Sequence, residues 1–372
     1  MKSAQPVPAA EPAKQTAPAS QDQAASQGQA ASQDTMRAIV QHRYGTVPEE
    51  VLRLERIARP RPAAGEVLVK VKAAGVDRGT WHVMAGQPYL MRLGLGFRRP
   101  RTRVPGMDVA GAVVAVGPGV SRFAVGDEVF GIARGSFAEY AVAREAKLAR
   151  KPAALTFAQA AALAVSGLTA LQGLRDAGRL RTGQKVLVIG ASGGVGSYAV
   201  QLAKVFGAEV TGVCGTAKTD LVRAIGADHV IDYTRSDYAD GHERYDLVLD
   251  IGGNTSLSRL RRALTPRGTL VIAGGEGATS KGATSKGASH QRAQWTGMAR
   301  QLRALALSLL IRQRLTTFIS THRQPDLETL RQLTESGQVT PVVEQACPLT
   351  EVPQAIRRLH AGQVRGKLAI TI

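Results

Sequence analysis

Two cysteines in 372 residues, Cys214 and Cys347, exclude a disulfide framework and a multi-cysteine metal site. Both read as small buried hydrophobes. Aromatic residues are only 4% of the chain, so its core must be built from Ala, Val, Leu and Ile. Long apolar runs are missing as well. A bilayer span needs about 20 apolar residues, and the most apolar helix-like stretch, Leu302 to Ile311, is interrupted by Arg303. No integral membrane association is therefore expected. No signal-peptide pattern stands at the start, and Glu11, Asp22 and Asp34 break any transit-peptide pattern. With so few cysteines, this points to a reducing cytoplasm. Carboxylates are outnumbered: 48 Lys and Arg face 29 Asp and Glu, a formal charge of +19. Such an excess gathers polyanions by long-range attraction. The cations are scattered rather than packed with aromatics, so no specific nucleic-acid partner is expected.

What is present changes along the chain. Residues 1–35 are Ala, Gln, Ser and Pro with almost no large apolar side chain, and read as a disordered tail. Ordered structure is expected from Met36, which reads as a possible native start. From Glu66 to Tyr140 the pattern is β-rich and broken by glycine: Val67–Val71 alternates as a strand does, and Gly111–Gly117 reads as another. After Lys151, short apolar strands at Val186–Ile189, Glu209–Val213, Leu247–Asp250 and Thr269–Ala273 alternate with helix-length segments. That is the signature of a parallel, doubly wound α/β sheet. The closing Lys367–Ile372 returns to strand, so the C-terminus is expected to complete the first domain. Three near-copies of Gly-Ala-Thr-Ser-Lys over Gly277–Ser289 read as a flexible loop, with a mobile lid as the alternative. Arg300 to Arg314 reads as a basic amphipathic helix with Leu302, Leu305, Ala306, Leu309 and Leu310 on one side. It is expected to cover a substrate cleft or a dimer face, with membrane-surface binding as the alternative.

The strongest chemical signal is the turn after Lys185–Ile189. Gly190, Gly193, Gly194 and Gly196 follow an apolar strand and open a helix whose stripe is Val195, Ala199, Leu202, Ala203 and Phe206. A tight exit, open backbone N–H groups and a helix N-terminus are what a pyrophosphate needs. Gly190, Ser192, Gly193, Gly194, Val195 and Gly196 are thus candidate cofactor-binding residues, with Gly215 and Thr216 after the next strand. An NAD site usually carries Asp or Glu about 20 residues beyond the glycines. Here the strand runs on as Cys214-Gly215-Thr216-Ala217-Lys218, without a carboxylate. Lys218 would attract a 2′-phosphate and Tyr233 would add a hydrogen bond, so the expected cofactor is NADPH.

Several motifs carry a resemblance. Gly75-Val-Asp77, Pro105-Gly-Met-Asp-Val-Ala-Gly111, Gly126-Asp-Glu-Val-Phe130, Gly135-Ser-Phe-Ala-Glu-Tyr140, the Gly190–Gly196 turn and Arg365-Gly-Lys-Leu-Ala-Ile370 occur in the order of the medium-chain dehydrogenase/reductases. The branch they resemble is the zinc-independent quinone oxidoreductases and related enone reductases. The resemblance implies a Rossmann doubly wound parallel sheet inserted in a GroES-like β-rich catalytic domain. The boundaries expected are 36–155 and 321–372 for the catalytic domain and 156–320 for the NADPH-binding domain. It also implies that Ser166, Thr169, Ile251, Gly252, Gly274, Gly366 and Lys367 border the cofactor. The family's zinc enzymes draw ligands from positions that here correspond to Asp77, Met107 and Val165, which form no zinc site. No metal is expected. Losing the metal favours an acceptor in which conjugation spreads the charge added with hydride, hence a quinone or enone. Asp77, Trp81 and Tyr89 are candidates for the substrate pocket, with His82 beside them.

Two other readings stand next to this one. One is reduction of an enoyl thioester; the other is a non-catalytic NADPH-binding interaction or RNA-associated protein. The partner expected first is a small quinone or enone, with a homodimer possible.

Overall fold

The computed structural model describes residues 35–253, 255–273 and 299–372, with Met1. The rest of the expected N-terminal tail, Gly274 and the Gly277–Ser289 repeat lie outside the described residues.

The chain opens with an antiparallel pair, β1 (Thr35–Gln41) and β2 (Leu52–Ala58). β3 (Glu66–Val76) follows and leads into α1 (Arg78–Ala85). β4 (Asp108–Val116), β5 (Glu128–Ile132), β6 (Tyr140–Arg144) and β7 (Leu148–Arg150) complete the first run of strands. β3 is the hub of this sheet. It pairs antiparallel with β4, with β6 and with the final strand of the chain. Both edges of β3 are therefore paired, and Val67, Val69, Val71, Ala73, Ala74 and Val76 are buried while Lys70 and Lys72 face solvent.

Two short helices rich in alanine come next, α2 (Phe157–Ala161) and α3 (Ala164–Gln172). α2 starts with a capping box, in which Thr156 and Gln159 satisfy each other's backbone N–H groups. The chain then alternates: β8 (Lys185–Ile189), α4 (Gly194–Val205), β9 (Glu209–Cys214), α5 (Thr219–Ala224), β10 (His229–Asp232), β11 (Tyr245–Asp250), α6 (Leu257–Arg262), β12 (Leu264–Ile272), α7 (Ala299–Ser308) and β13 (Arg314–Thr317). The six strands are parallel in the order β10-β9-β8-β11-β12-β13. This is the doubly wound Rossmann order. The chain leaves β8 to one side and reaches β11 on the other, which opens a crevice at their carboxyl ends. Val186, Leu187, Val188, Val248 and Leu249 are buried on both faces, as a parallel sheet covered by helices requires.

α8 (Gln324–Glu335), β14 (Val343–Pro348), α9 (Val352–His360) and β15 (Lys367–Thr371) finish the chain. β15 lies between β14 and β3, with Leu368 opposite Val76 and Ile370 opposite Ala74. The last strand thus joins the first sheet.

One expectation is corrected. The helix expected over Arg300–Arg314 ends at Ser308, and Arg314 begins β13. Its buried side is not the leucine stripe. Arg300, Gln301 and Ala304 face inward, whereas Leu302, Leu305, Leu309 and Leu310 are exposed. The reason is electrostatic. Arg300 donates to the buried Asp250 carboxylate at 2.5 Å and to the Thr255 carbonyl at 2.9 Å. A buried carboxylate needs a cation more than leucines need cover.

Candidate functional site

The crevice between β8 and β11 is built from backbone. Gly190 has φ +87°, a left-handed conformation that lets the chain leave β8 sharply. Its N–H and that of Ala191 both donate to the Val213 carbonyl on β9, which fixes the turn to the sheet. A Cβ on Gly196 would lie 2.1 Å from the Gly190 carbonyl oxygen and 2.8 Å from the Ala191 backbone. That glycine is demanded by the close approach of helix and turn. Gly193 is different: a Cβ there would meet only the Gly190 oxygen, at 3.5 Å. Nothing in the protein requires glycine at 193, so the space in front of it is open. Gly193 is also the N-cap of α4 and offers no side chain to the first N–H groups of that helix. Open N–H groups at the positive end of a helix dipole are an anion site. Across the crevice, the Gly190 Cβ direction meets the Gly252 nitrogen at 3.5 Å and the Ile251 side chain at 3.8 Å. The turn therefore faces Ile251 and Gly252 across the crevice.

The C-terminal strand closes onto this turn. Gly366 N–H donates to the Ser192 carbonyl at 2.8 Å, and Gly366 and Gly193 form an isolated parallel bridge. A Cβ on Gly194 would touch the Lys367 side chain at 2.8 Å and the Ser166 hydroxyl at 3.3 Å. Ser192, Gly194, Ser166, Gly366 and Lys367 thus share one place. The expectation for Lys367 changes, however. Its ammonium is buried and donates to Asp108 Oδ2 at 3.0 Å. It holds protein to protein rather than reaching into the cleft. Asp108 also accepts from Val165 N–H at 2.7 Å. Burial pushes its pKa up to about 6, and Lys367 opposes that shift. Asp108 stands inside the Pro105–Gly111 motif, and a carboxylate in so apolar a run was the signal available in the sequence.

The far end of the crevice collects the adenosine-side candidates. Gly215 caps a turn over Thr216–Lys218, and a Cβ on Gly215 would lie 3.6 Å from the Tyr233 hydroxyl. Tyr233 is 59% exposed, so its hydroxyl is open to a ligand. Lys218 donates to the carbonyls of Gly362 at 2.9 Å and Val364 at 2.7 Å, which ties this turn to the C-terminal loop. Partial burial lowers its pKa. Sequence reasoning missed one acid here. Asp232, at the end of β10, accepts from the Thr216 hydroxyl at 2.6 Å and from the Thr234 hydroxyl and N–H. Those donors hold its pKa below the ordinary carboxylate value.

On the catalytic-sheet side, Asp77 caps α1. Its carboxylate accepts from Thr80 N–H at 3.0 Å and from the Thr80 hydroxyl at 3.3 Å. It is therefore turned toward its own helix and not paired with Arg78. A Cβ on the neighbouring Gly79 would lie 2.8 Å from Asp77 Oδ1 and 3.8 Å from the Met107 methyl, so Asp77 and Met107 share a wall. Trp81 is corrected from substrate wall to core. Its indole is 5% exposed and stacks on His360 of α9 at 4.0 Å, because α1 packs against α9. His82 Nδ1 contacts the Gln87 carbonyl at 3.0 Å, and burial lowers its pKa. The Tyr89 ring lies under the Arg92 guanidinium. Thr169 is half-buried, and its hydroxyl donates back to the Val165 carbonyl at 2.7 Å. His322, between β13 and α8, escaped sequence reasoning. Burial and Lys147 lower its pKa while Asp77 raises it, which puts the imidazole within electrostatic reach of Asp77. Cys214 and Cys347 are free and buried.

Among the described residues, no three His, Cys, Asp or Glu side chains come together as metal ligands. With Asp77 committed to a helix cap and thioether and hydrocarbon at Met107 and Val165, the donor set does not fit zinc.

Two family models match the chain. One, described as "Alcohol dehydrogenase GroES-like domain", covers residues 63–153, and one described as "Zinc-binding dehydrogenase" covers residues 225–370. The chain is 32% identical over 327 residues to the chloroplast envelope quinone oxidoreductase homolog of Arabidopsis thaliana, covering 84% of this chain and 91% of that one. It is 33% identical to the 2-methylene-furan-3-one reductase of Solanum lycopersicum, covering 88% of this chain and 76% of the relative. Among solved structures, the quinone oxidoreductase from Coxiella burnetii superposes with a TM-score of 0.77 at 25% identity. That match covers 91% of this chain and 99% of the other.

Proposed function

The chain belongs to the medium-chain dehydrogenase/reductases, in their quinone oxidoreductase branch, and is an oxidoreductase; from that premise we propose that it is an NADPH-dependent reductase of quinones or α,β-unsaturated carbonyls that needs no zinc. The observation that carries the NADPH reading is the end of β9. Where an NAD site places a carboxylate, this chain has Gly215, Thr216 and Lys218, with the Tyr233 hydroxyl beside them. A phosphate dianion is a better acceptor than a carbonyl. Lys218 is expected to turn from Gly362 and Val364 toward it. Asp232 stays ionised under its Thr216 and Thr234 hydrogen bonds, and the Arg235 guanidinium at 3.7 Å offsets part of its charge.

In this reading the open N–H groups in the first turn of α4, which follows Gly193, hold the pyrophosphate. Ile251 and Gly252 form the opposite side of the crevice. The reduced dinucleotide supplies hydride when bound. Met107, Val165 and Thr169 give the cleft a wall with little polarity, which suits a flat conjugated acceptor. Their task is to exclude water and fix the acceptor in reacting distance. The Asp77 carboxylate stays in its helix cap, where the Thr80 N–H and hydroxyl offset part of its charge. A conjugated acceptor asks less of a Lewis acid than an isolated ketone does. That matches a donor set that does not fit zinc and the enone-reductase relative from tomato.

Two finer points belong to the same reading. Leu309, Leu310 and Ile319 are 87%, 83% and 85% exposed beside the edge strand β13, a place for a second copy to pair. No helix among the described residues is long and apolar enough to cross a membrane. A cytoplasmic setting rests on the two free cysteines.

The test is cofactor oxidation measured with NADPH and NADH in parallel, against a panel of quinones, alkenals and acyl thioesters. Turnover of quinones or alkenals with NADPH preferred is expected. Turnover confined to acyl thioesters, NADH preference, or stoichiometric zinc in the active protein would refute the corresponding part.

A further inference from the structure

Between Asp77 and Asp108 the chain holds no carboxylate and six arginines: Arg78, Arg92, Arg98, Arg99, Arg101 and Arg103. Within that stretch, residues 89–103 carry a second unusual feature. Leu90 is 55% exposed, Leu93 68% and Phe97 74%, and Arg98, Arg99, Arg101 and Arg103 are exposed around them. A solvent-facing run of large apolar side chains on one segment is a feature of interaction surfaces.

The segment is braced. Arg92 donates to the Gly86 carbonyl at 2.9 Å and to the Ala85 carbonyl at 3.3 Å. Its guanidinium lies over the Tyr44 ring at 4.4 Å and the Tyr89 ring at 4.6 Å. The Tyr44 hydroxyl donates to the Gly96 carbonyl at 2.7 Å, and Arg101 N–H donates to the Leu95 carbonyl at 2.8 Å. The backbone between Leu95 and Arg101 is thereby closed into a loop, with Phe97, Arg98 and Arg99 on it. Apolar side chains are held outward on a fixed support rather than left there by a loose chain.

The occupant follows from chemistry. A second copy presenting the same face would bring arginines against arginines. Nucleic acid is recognised by several aromatic platforms in a basic groove, and Phe97 is the one phenylalanine, tryptophan or tyrosine exposed on this segment. Leucine and phenylalanine ringed by guanidinium groups match the boundary layer of an anionic bilayer. There the apolar groups enter the acyl region and the cations pair with phosphates. We propose that residues 89–103 form a docking face for the surface of an anionic phospholipid bilayer. This face is independent of the hydride-transfer reading.

The experiment is co-sedimentation of the full chain with vesicles of phosphatidylcholine alone or mixed with phosphatidylglycerol. Binding is expected only to the anionic vesicles, and it should weaken as salt rises. Leu93→Ser with Phe97→Ser, which keeps every charge, should lose about tenfold or more of the binding. Arg98→Gln with Arg99→Gln and Arg101→Gln should lose about tenfold or more as well. A control removes the same charge elsewhere, at the exposed Arg181, Arg267 and Arg312, and should bind nearly as the parent does. Each variant is first checked for an unchanged thermal midpoint; Phe97→Ala alone serves if the double variant fails that check. No binding to anionic vesicles overturns the proposal. So does equal loss in the control, which would mean bulk charge alone, or undiminished binding without Leu93 and Phe97. Phe97-dependent capture of an oligonucleotide in place of vesicles would overturn it too.

Discussion

Lys367 on β15 donates to Asp108 on β4 across 259 residues of sequence, at 3.0 Å, with both side chains shut away from water. The same aspartate receives the N–H of Val165 at the start of α3, and the lysine stem lies against Gly194. One ion pair therefore joins the catalytic sheet, the helix that follows it and the glycine-rich turn.

Asp108→Asn leaves the Lys367 ammonium buried without a counter-charge, which should cost about 3–5 kcal/mol. Lys367→Met in the same background should recover most of that loss, since a buried pair replaced as a unit is often nearly neutral. Denaturant melts of the two single variants and the double variant measure this. A double variant as weak as the sum of the singles would contradict it.

The same pair sets a pH dependence. Burial raises the Asp108 pKa to about 6, above that of the unfolded chain. Between about pH 4 and 6 the folded protein then holds a proton that the unfolded chain has lost, so this group's contribution is full below about pH 4 and is lost as pH rises through about 6. The Asp108→Asn, Lys367→Met protein should lack that falling component. Across this range the parent's thermal midpoint should fall relative to that of the double variant as pH rises; parallel curves would refute the assignment.

Gly193 and Gly196 should separate binding from folding. A Cβ at 196 collides with the Gly190 carbonyl at 2.1 Å, so Gly196→Ala should destabilise the protein by about 1–3 kcal/mol. At 193 the φ of −88° suits any residue and the nearest atom is 3.5 Å away. Gly193→Ala should melt as the parent does and yet bind dinucleotide more weakly, because the methyl occupies the space before the α4 N–H groups. Calorimetric titration and thermal melts on both proteins decide it. Weak binding and an early melt together at Gly193→Ala would count against an open ligand site there.

Lys218→Ala should abolish the preference for NADPH over NADH without reversing it. Loss of a charge-assisted contact of about 1.5–3 kcal/mol corresponds to roughly 10- to 150-fold in NADPH affinity. The variant also frees the Gly362 and Val364 carbonyls, so NADH affinity is measured in parallel. An equal fall for both nucleotides would mean that Lys218 serves the C-terminal loop alone.

Asp77→Ala removes the α1 cap and should cost about 1 kcal/mol, whereas Asp77→Asn caps nearly as well and should leave the melt unchanged. If the Asp77 charge acts only on its helix, Asp77→Asn also keeps the parent pH profile of turnover. A shifted profile would show that the carboxylate reaches His322 or the acceptor.

Much of this fold was legible because its signals are local. The glycines after Lys185–Ile189, the alternation of Val67–Val71 and the apolar runs of the parallel strands each depend on near neighbours in the chain. Those patterns led to a Rossmann sheet and to the turn at Gly190–Gly196, and the strand order agrees. The side-chain assignments were harder. Trp81 looked like a pocket residue because it follows Asp77 in a polar loop, but its face is set by His360, far along the chain. Leu302, Leu305, Leu309 and Leu310 read as a stripe for a cleft or a dimer face, and nothing in the sequence showed that Arg300 takes the inward place beside them.

The amino-acid sequence alone settled the parallel strands around the glycine-rich turn, where an anion could meet a helix start, and which family the chain resembles. The folded molecule alone decided which charges meet: Asp108 with Lys367, Asp250 with Arg300, Lys218 with the loop at Gly362–Val364. Periodicity is written in adjacent residues, whereas a buried charge is satisfied by whichever partner the topology brings within hydrogen-bond reach. No spacing rule along the chain encodes that partner.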